Sequence, residues 1–229
     1  MRRISLWFGV CLALAAFPVA CGGTDSAVQI SGEAGVSAVA ALAEARIDAL
    51  VSCMQVMAMT EEVKSGEWDV MRAILTKFQQ TSIPLVAWFV LPDGSYYTVD
   101  VGRASANLAD RAYFPKVMAG EIAVGYLVVS RSTGRAAMVL AVPVESGGQV
   151  IGALGVSVFL KELAEIIVAD LGSPADIVFY ALSDDGKIAL HSNTDLVMED
   201  ASALGAVPEH VVSKESSLVG WTFSLGMAE

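Results

Sequence analysis

The sequence predicts an α+β fold: a long N-terminal helix and a shorter one, then an antiparallel sheet, then a smaller second β-rich part. Three observations carry this. Apolar residues recur at three- and four-residue steps over residues 36–59 and again over 68–80, the signature of helices with one buried face. From residue 85 short apolar runs alternate with turn-forming segments, as in hairpins. After Gly172-Ser173-Pro174 the same pattern resumes for about 55 residues. Helices first and hairpins afterwards segregate the two element types, which defines α+β rather than alternating α/β.

Each element has a local reason. Over 36–59, Val36, Val39, Ala43, Ile47, Leu50, Met54 and Met57 share a face, and Ser37, Glu44, Asp48, Ser52 and Gln55 oppose them. Cys53, within this apolar run, reads as a buried structural thiol. Lys64-Ser65-Gly66-Glu67 breaks the helix, and a second one over 68–80 turns Val70, Met71, Ile74, Leu75 and Phe78 inward. Beyond Pro84, residues 85–90 form a strand closed by Pro92-Asp93-Gly94, and 96–99 form its partner. Strands at 122–129, 136–144 and 150–159 are joined by Ser132-Thr133-Gly134-Arg135 and Ser146-Gly147-Gly148. Gly152 and Gly155 inside the last of them read as relief of crowding in the sheet. A helix over 161–171 stops at Gly172. Strands at 177–182, 187–191 and 221–225 follow, the first two joined by Asp184-Asp185-Gly186. So short a second part lacks the size for its own core and is expected to pack on the first.

Composition narrows the function classes. Of 229 residues, 55% are hydrophobic and 17% charged, with a formal net charge of −11. The mean hydropathy of +0.59 excludes a disordered chain, and a pI near 4.6 argues against nucleic acid as a partner. Three cysteines and two histidines are too few for a disulfide scaffold or a Cys/His zinc framework. Arg2 and Arg3, an apolar run over 4–17, and Pro18-Val19-Ala20-Cys21-Gly22-Gly23 have the three parts of a secretory signal. The ending resembles a bacterial lipoprotein box, which implies that Cys21 is lipidated and anchors the protein to a membrane. The alternative is an uncleaved anchor over 4–20, at the lower limit of about 17–25 residues for a spanning helix and interrupted by Pro18. Both place the remainder outside the cytoplasmic membrane, periplasmic or at the cell surface. Cleavage would leave 12 basic against 25 acidic residues, with Cys53 the one unacylated cysteine. The organisation expected is a signal peptide at 1–20, a tether at 21–35, helices and the main module at 36–172, and a reduced second module at 173–229.

A family resemblance rests on an ordered set of short motifs. Asn107-Leu108-Ala109-Asp110-Arg111-Ala112-Tyr113-Phe114 is followed by Gly120 and by Ser130-Arg131-Ser132-Thr133-Gly134. Ala141-Val142-Pro143-Val144 and Val150-Ile151-Gly152-Ala153-Leu154-Gly155-Val156 complete it. Over residues 83–171 these together resemble the extracytoplasmic Cache sensor domain, the PAS-like ligand-binding module of bacterial chemoreceptors and sensor kinases. Residues 177–180, Asp185-Gly186-Lys187-Ile188, His191 and Trp221 are similar, more loosely, to the membrane-proximal half of a double Cache domain. The resemblance implies a PAS-like sheet enclosing a small metabolite; it does not imply catalysis. In the amino-acid-sensing branch an Arg-x-Trp-Tyr segment grips the ligand carboxylate, an upstream Tyr assists, and a later Asp holds the amine. Here Arg111, Tyr113 and Phe114 stand at the Arg, Trp and Tyr places, Ala106 at the upstream Tyr, and Ser157 near the Asp.

Charge distribution points the same way. Residues 101–140 carry Arg103, Arg111, Lys116, Arg131 and Arg135 against Asp110 and Glu121, a balance of +3 in an acidic chain. A guanidinium presents a planar fork of donors matched to a carboxylate. Arg111 is therefore the principal candidate ligand residue, with Tyr113 as aromatic wall or hydroxyl donor, and Arg103, Ser130, Arg131 and Ser157 behind them. The plainer readings pair Arg111 with Asp110 or have it brace a loop, leave Arg131 and Arg135 as solvated turn charges, and give Ser157 a backbone carbonyl to satisfy.

Motifs for other chemistry are missing. There is no Gly-x-Ser-x-Gly, no phosphate-binding Gly-Lys-Ser/Thr loop and no dinucleotide fingerprint. His191 and His210 lie nineteen residues apart without a nearby Cys, and His191, Ser192 and Asp195 read as a surface turn after a strand. Asp184-Asp185-Gly186 lacks the alternating spacing of a calcium loop. The expectation is a non-enzymatic, cofactor-free and metal-free sensor domain for a small anionic metabolite. With no transmitter helix after Glu229, it is expected to signal through a separate membrane sensor or receptor protein. The competing expectation is a ligand-free docking lipoprotein that uses the acidic surface of residues 175–229, which carry nine acidic and two basic residues.

Overall fold

The computed structural model describes residues 32–172, 177–205 and 211–227. The signal peptide, Cys21, most of the expected tether, Pro174 and His210 lie outside the described residues.

Helix α1 spans Gly32–Ala58 and begins four residues before the expected start, with Gly35 already buried. Its stripe of Val36, Val39, Ala43, Ile47, Leu50, Met54 and Met57 is buried throughout. Cys53 is exposed, which corrects the buried thiol expected of it. At 100° per residue the buried arc runs from Met57 through Leu50 to Val51, and Cys53 falls just past its edge. After α2 (Glu61–Lys64), capped by the Thr60 hydroxyl, α3 runs Trp68–Thr81. Met71 and Leu75 are its buried residues, while Ile74 and Phe78 are partly buried against the core. Val70, expected to face inward, is 44% exposed. It too lies one step outside the arc.

Six strands form the first sheet: β1 (Leu85–Val90), β2 (Ser95–Thr98), β3 (Gly102–Asn107), β4 (Ala123–Val129), β5 (Ala136–Ser146) and β6 (Gln149–Phe159). Their order is β3-β2-β1-β6-β5-β4, with antiparallel pairing between every neighbour. The β5–β6 hairpin closes through Gly147 and Gly148, both at positive φ (60° and 78°), between the paired Ser146 and Gln149. That is the two-residue turn whose twist matches the strands. Helices α4 (Phe114–Met118) and α5 (Leu160–Leu171) follow β3 and β6, and α5 ends at Gly172 in the left-handed conformation. The second sheet, β7 (Ile177–Leu182), β8 (Ile188–His191), β9 (Val212–Glu215) and β10 (Thr222–Met227), has the order β8-β7-β10-β9. Strands β3 and β9 and helix α4 have no counterpart among the elements expected from sequence.

Alternation along the central strands divides the interior into two cores. Ala87, Phe89, Met138, Leu140, Leu154, Val156 and Val158 point toward α1, and the same cluster takes in Phe179, Leu190, Trp221 and Phe223 of the second sheet. The second part therefore packs on the first across α1, as its size requires. The opposite face of the first sheet carries Trp88, Val90, Val139, Ala141 and Ala153, covered by Leu108, Tyr113, Phe114 and Val117 from the segment after β3. Full burial of each such aliphatic or aromatic side chain contributes about 1.5–3 kcal/mol. The described helices include none long and apolar enough to cross a membrane.

Candidate ligand-binding site

Two adjoining hollows open on this second face. The inner one, of about 20 Å³, has Trp88, Val139 and Ser157 as its floor and Ser130 and Ser132 at one side. The outer one, of about 220 Å³, reaches Asp110, Ala112 and Tyr126. Arg111, Tyr113, Val128 and Arg131 line both.

The floor depends on strand register. Trp88 on β1 lies opposite Gly155 on β6, and Val139 on β5 opposite Ser157 on β6, so all four share a face. A Cβ at Gly155 would fall 2.1–2.4 Å from carbons of the Trp88 indole; glycine leaves the space the ring occupies. The indole N–H donates to Ser157 Oγ at 3.1 Å. Ser157 thus satisfies an indole rather than a backbone carbonyl, and keeps its own hydrogen to donate.

Arg111 sits in the tight segment after β3, where its N–H donates to the Leu108 carbonyl and its carbonyl accepts from the Phe114 N–H. Its side chain reaches across to β4, and Nη2 donates to the Val129 carbonyl at 2.9 Å. Nε is buried and has no hydrogen-bond partner among the described residues. A buried donor without an acceptor is costly, so this guanidinium retains unused capacity in a residue that lines both hollows. Asp110 does not pair with Arg111. Both its oxygens accept from Arg131 at 2.6 Å, and Arg131 also donates to the Asn107 carbonyl. The hydrogen bond from Arg131 holds the Asp110 carboxyl below the usual carboxylate range, against the opposing effect of burial.

Tyr113 is 3% exposed, its ring tilted against Trp88 and edge-on to Tyr126. Burial pushes its hydroxyl up to about 12, so it stays protonated and can donate. Burial likewise raises Tyr96, which lines the inner hollow. Ser130 is buried, with its hydroxyl 3.3 Å from that of Ser132. Of the six residues expected from sequence, five (Arg111, Tyr113, Ser130, Arg131 and Ser157) line the hollows. Arg103 does not: it stands exposed on edge strand β3, opposite Tyr97. Phe114 is buried as core and Arg135 is turned away, paired with Glu162 and stacked 3.4 Å over the Phe159 ring. Arg135 remains exposed beside its turn, as the plainer reading has it, and is paired as well.

Trp88, Tyr96, Tyr126 and Ser132 were not anticipated. Trp88 sits in a wholly buried strand and reads as core, and the signal that exposes it is parity: with Phe89 facing α1, Trp88 must face the other way. In the second sheet, His191 is buried rather than in a surface turn. Its Nδ1 accepts from the Asn193 N–H at 2.7 Å and its ring stacks on Tyr180, while Asp195 pairs with Lys161. No cluster of three His, Cys, Asp or Glu among the described residues is placed to hold a metal ion.

The fold is shared with solved sensor and ligand-binding domains of a bacterial histidine kinase and of bacterial chemoreceptors. Among solved structures, the sensor domain of the V. cholerae histidine kinase DctB superposes with a TM-score of 0.68 at 12% identity, over 86% of this chain and 95% of that one. The ligand-binding domain of the Pseudomonas aeruginosa PAO1 amino acid chemoreceptor PctC, in complex with GABA, gives 0.61 at 21% identity over 85% and 94%. That of the Pseudomonas fluorescens chemoreceptor CtaA, in complex with L-serine, gives 0.65 at 15% over 86% and 93%. No protein-family model and no curated relative matches the sequence.

Proposed function

We propose that the chain is an extracytoplasmic sensor domain that binds a small organic anion, a carboxylate, through Arg111. The observation that carries this reading is the buried, unpartnered Nε of Arg111, a residue that lines both hollows. Arg131 adds a second guanidinium, and Tyr113 a protonated hydroxyl and an aromatic wall. A charge-assisted hydrogen bond to a carboxylate contributes about 1.5–3 kcal/mol where water is largely excluded. Solved domains of this fold bind GABA and L-serine, which supports a ligand-binding role. Cys21 anchors the protein by lipid, and ligand state is passed to a separate membrane receptor or sensor by differential affinity for two states.

A thermal-shift screen over carboxylates, amino acids and amines tests the reading. A carboxylate that binds only the folded chain must raise its melting temperature. Arg111→Ala is expected to weaken that binding by roughly 10–100-fold, with Arg111→Lys intermediate. Equal affinity in Arg111→Ala would refute the assignment. For the anchor, Cys21→Ser is expected to move the protein from the membrane to the soluble fraction.

A further inference from the structure

We propose that the site selects a short carboxylate with a neutral hydroxyl or keto oxygen on the adjacent carbon, and rejects the matching amino acid. This rests on the reading that Arg111 takes the carboxylate.

Two observations define the class. The first is the balance of charge around the hollows. Arg111 and Arg131 line both, and Asp110 is the only carboxylate among the described lining residues. Both its oxygens are already held by Arg131 at 2.6 Å. An ammonium there would meet two guanidinia and no free carboxylate, so a zwitterion would leave its cationic end unpaired.

The second is the inner hollow itself. Its room of about 20 Å³ is that of a single water-sized group. Beside the two guanidinia at the shared wall, its polar groups are neutral: Ser157 Oγ with a hydrogen to give, the paired Ser130 and Ser132 hydroxyls, and the Tyr96 and Tyr113 phenols. One oxygen on the carbon next to the carboxylate would enter this space while the carboxylate stays at the shared wall. A methylene or methyl group in its place would leave the Ser157 hydroxyl hydrogen without an acceptor. The ligand is therefore a small 2-hydroxy or 2-oxo acid.

The experiment is calorimetric titration of the full chain with four three-carbon acids of one skeleton: lactate, pyruvate, propionate and L-alanine. Lactate or pyruvate is expected to bind at least about tenfold tighter than propionate and about 100-fold tighter than L-alanine, the scale of one lost hydrogen bond and one unpaired charge. In Ser157→Ala the preference over propionate is expected to shrink to within about threefold. Because it is a ratio within one variant, partial unfolding does not imitate it. L-alanine or propionate binding as tightly as lactate and pyruvate would overturn the inference, and so would an unchanged ratio in Ser157→Ala. If binding of that tighter ligand is still lost in Arg111→Ala, the proposed function survives. If none of the four binds, or if Arg111→Ala binds lactate like the wild type, the reading of Arg111 and the inference fall together.

Discussion

Gly155→Ala probes how the sheet makes room for the site. The added Cβ would lie 2.1, 2.2 and 2.4 Å from three carbons of the Trp88 indole, against the roughly 3.5–4.0 Å of a comfortable carbon contact. The ring must therefore retreat by about 1 Å or more, and at 3% exposure it is packed on nearly all sides. Overpacking of this kind costs about 1–3 kcal/mol, and separating the indole N–H from Ser157 adds about 1 kcal/mol. Alanine restricts the unfolded chain and returns about 0.4–1 kcal/mol. The net expectation is a loss of about 2–3 kcal/mol, read by urea unfolding followed by circular dichroism. Carboxylate affinity should fall as well, because the displaced indole is the floor of the inner hollow. Gly152→Ala is the control: its Cβ would meet Phe89 and the Val90 carbonyl at 2.6 Å, on the α1 side of the sheet. It should lose stability and spare affinity in the folded fraction. Gly155→Ala unfolding within about 0.5 kcal/mol of the wild type would refute the packing argument.

Two further expectations concern charge. Asp110→Asn removes the carboxylate that occupies Arg131, so anion affinity should rise by roughly two- to fivefold, more at low salt than at high salt; calorimetry showing weaker binding would mean that Asp110 serves to position Arg131 for the ligand. His191 is held neutral by burial, its pKa below the ordinary 6.5 despite the opposing Asn193 N–H. The unfolded chain then binds the extra proton first, so stability should fall as pH drops from about 6.5 through the lowered folded value and stay level above it. His191→Gln should flatten that part of the urea-midpoint profile between pH 5 and 8, and a profile identical to the wild type would exclude His191 as its source.

Periodicity recovered the direction of each buried face but not its width. Val36 through Met57 identified the buried side of α1, yet Cys53 and Val70 sit at the margins of their arcs, where one residue step decides between core and solvent. Strand β3 was illegible for another reason. It is an edge strand whose residues alternate between half-buried and exposed, so Gly102, Ala104 and Ala106 alternate with Arg103, Ser105 and Asn107 and no large apolar side chain marks it. In the site, Arg111, Tyr113 and Ser157 were found by resemblance to a family motif. Arg103 entered on net charge, which says nothing about the face a strand turns outward. Trp88 and Ser157 are 69 residues apart in sequence and adjacent in space, and only the antiparallel register of β1 with β6 brings them together.

That register leaves β4 as an outer strand of the sheet, and unpaired strand edges invite pairing with other chains. Two side chains seal it. Arg111 donates to the Val129 carbonyl, and Trp221, from the second part, donates to the Gly125 carbonyl at 3.3 Å. Gly125 has a φ of 86° at the irregularity between Ala123 and Tyr126, and a Cβ there would meet the Val219 carbonyl at 2.5 Å. Only glycine both adopts this conformation without strain and lets residues 216–221 close on the strand. The bond that holds Arg111 and the bond that holds Trp221 therefore end on one strand, four residues apart.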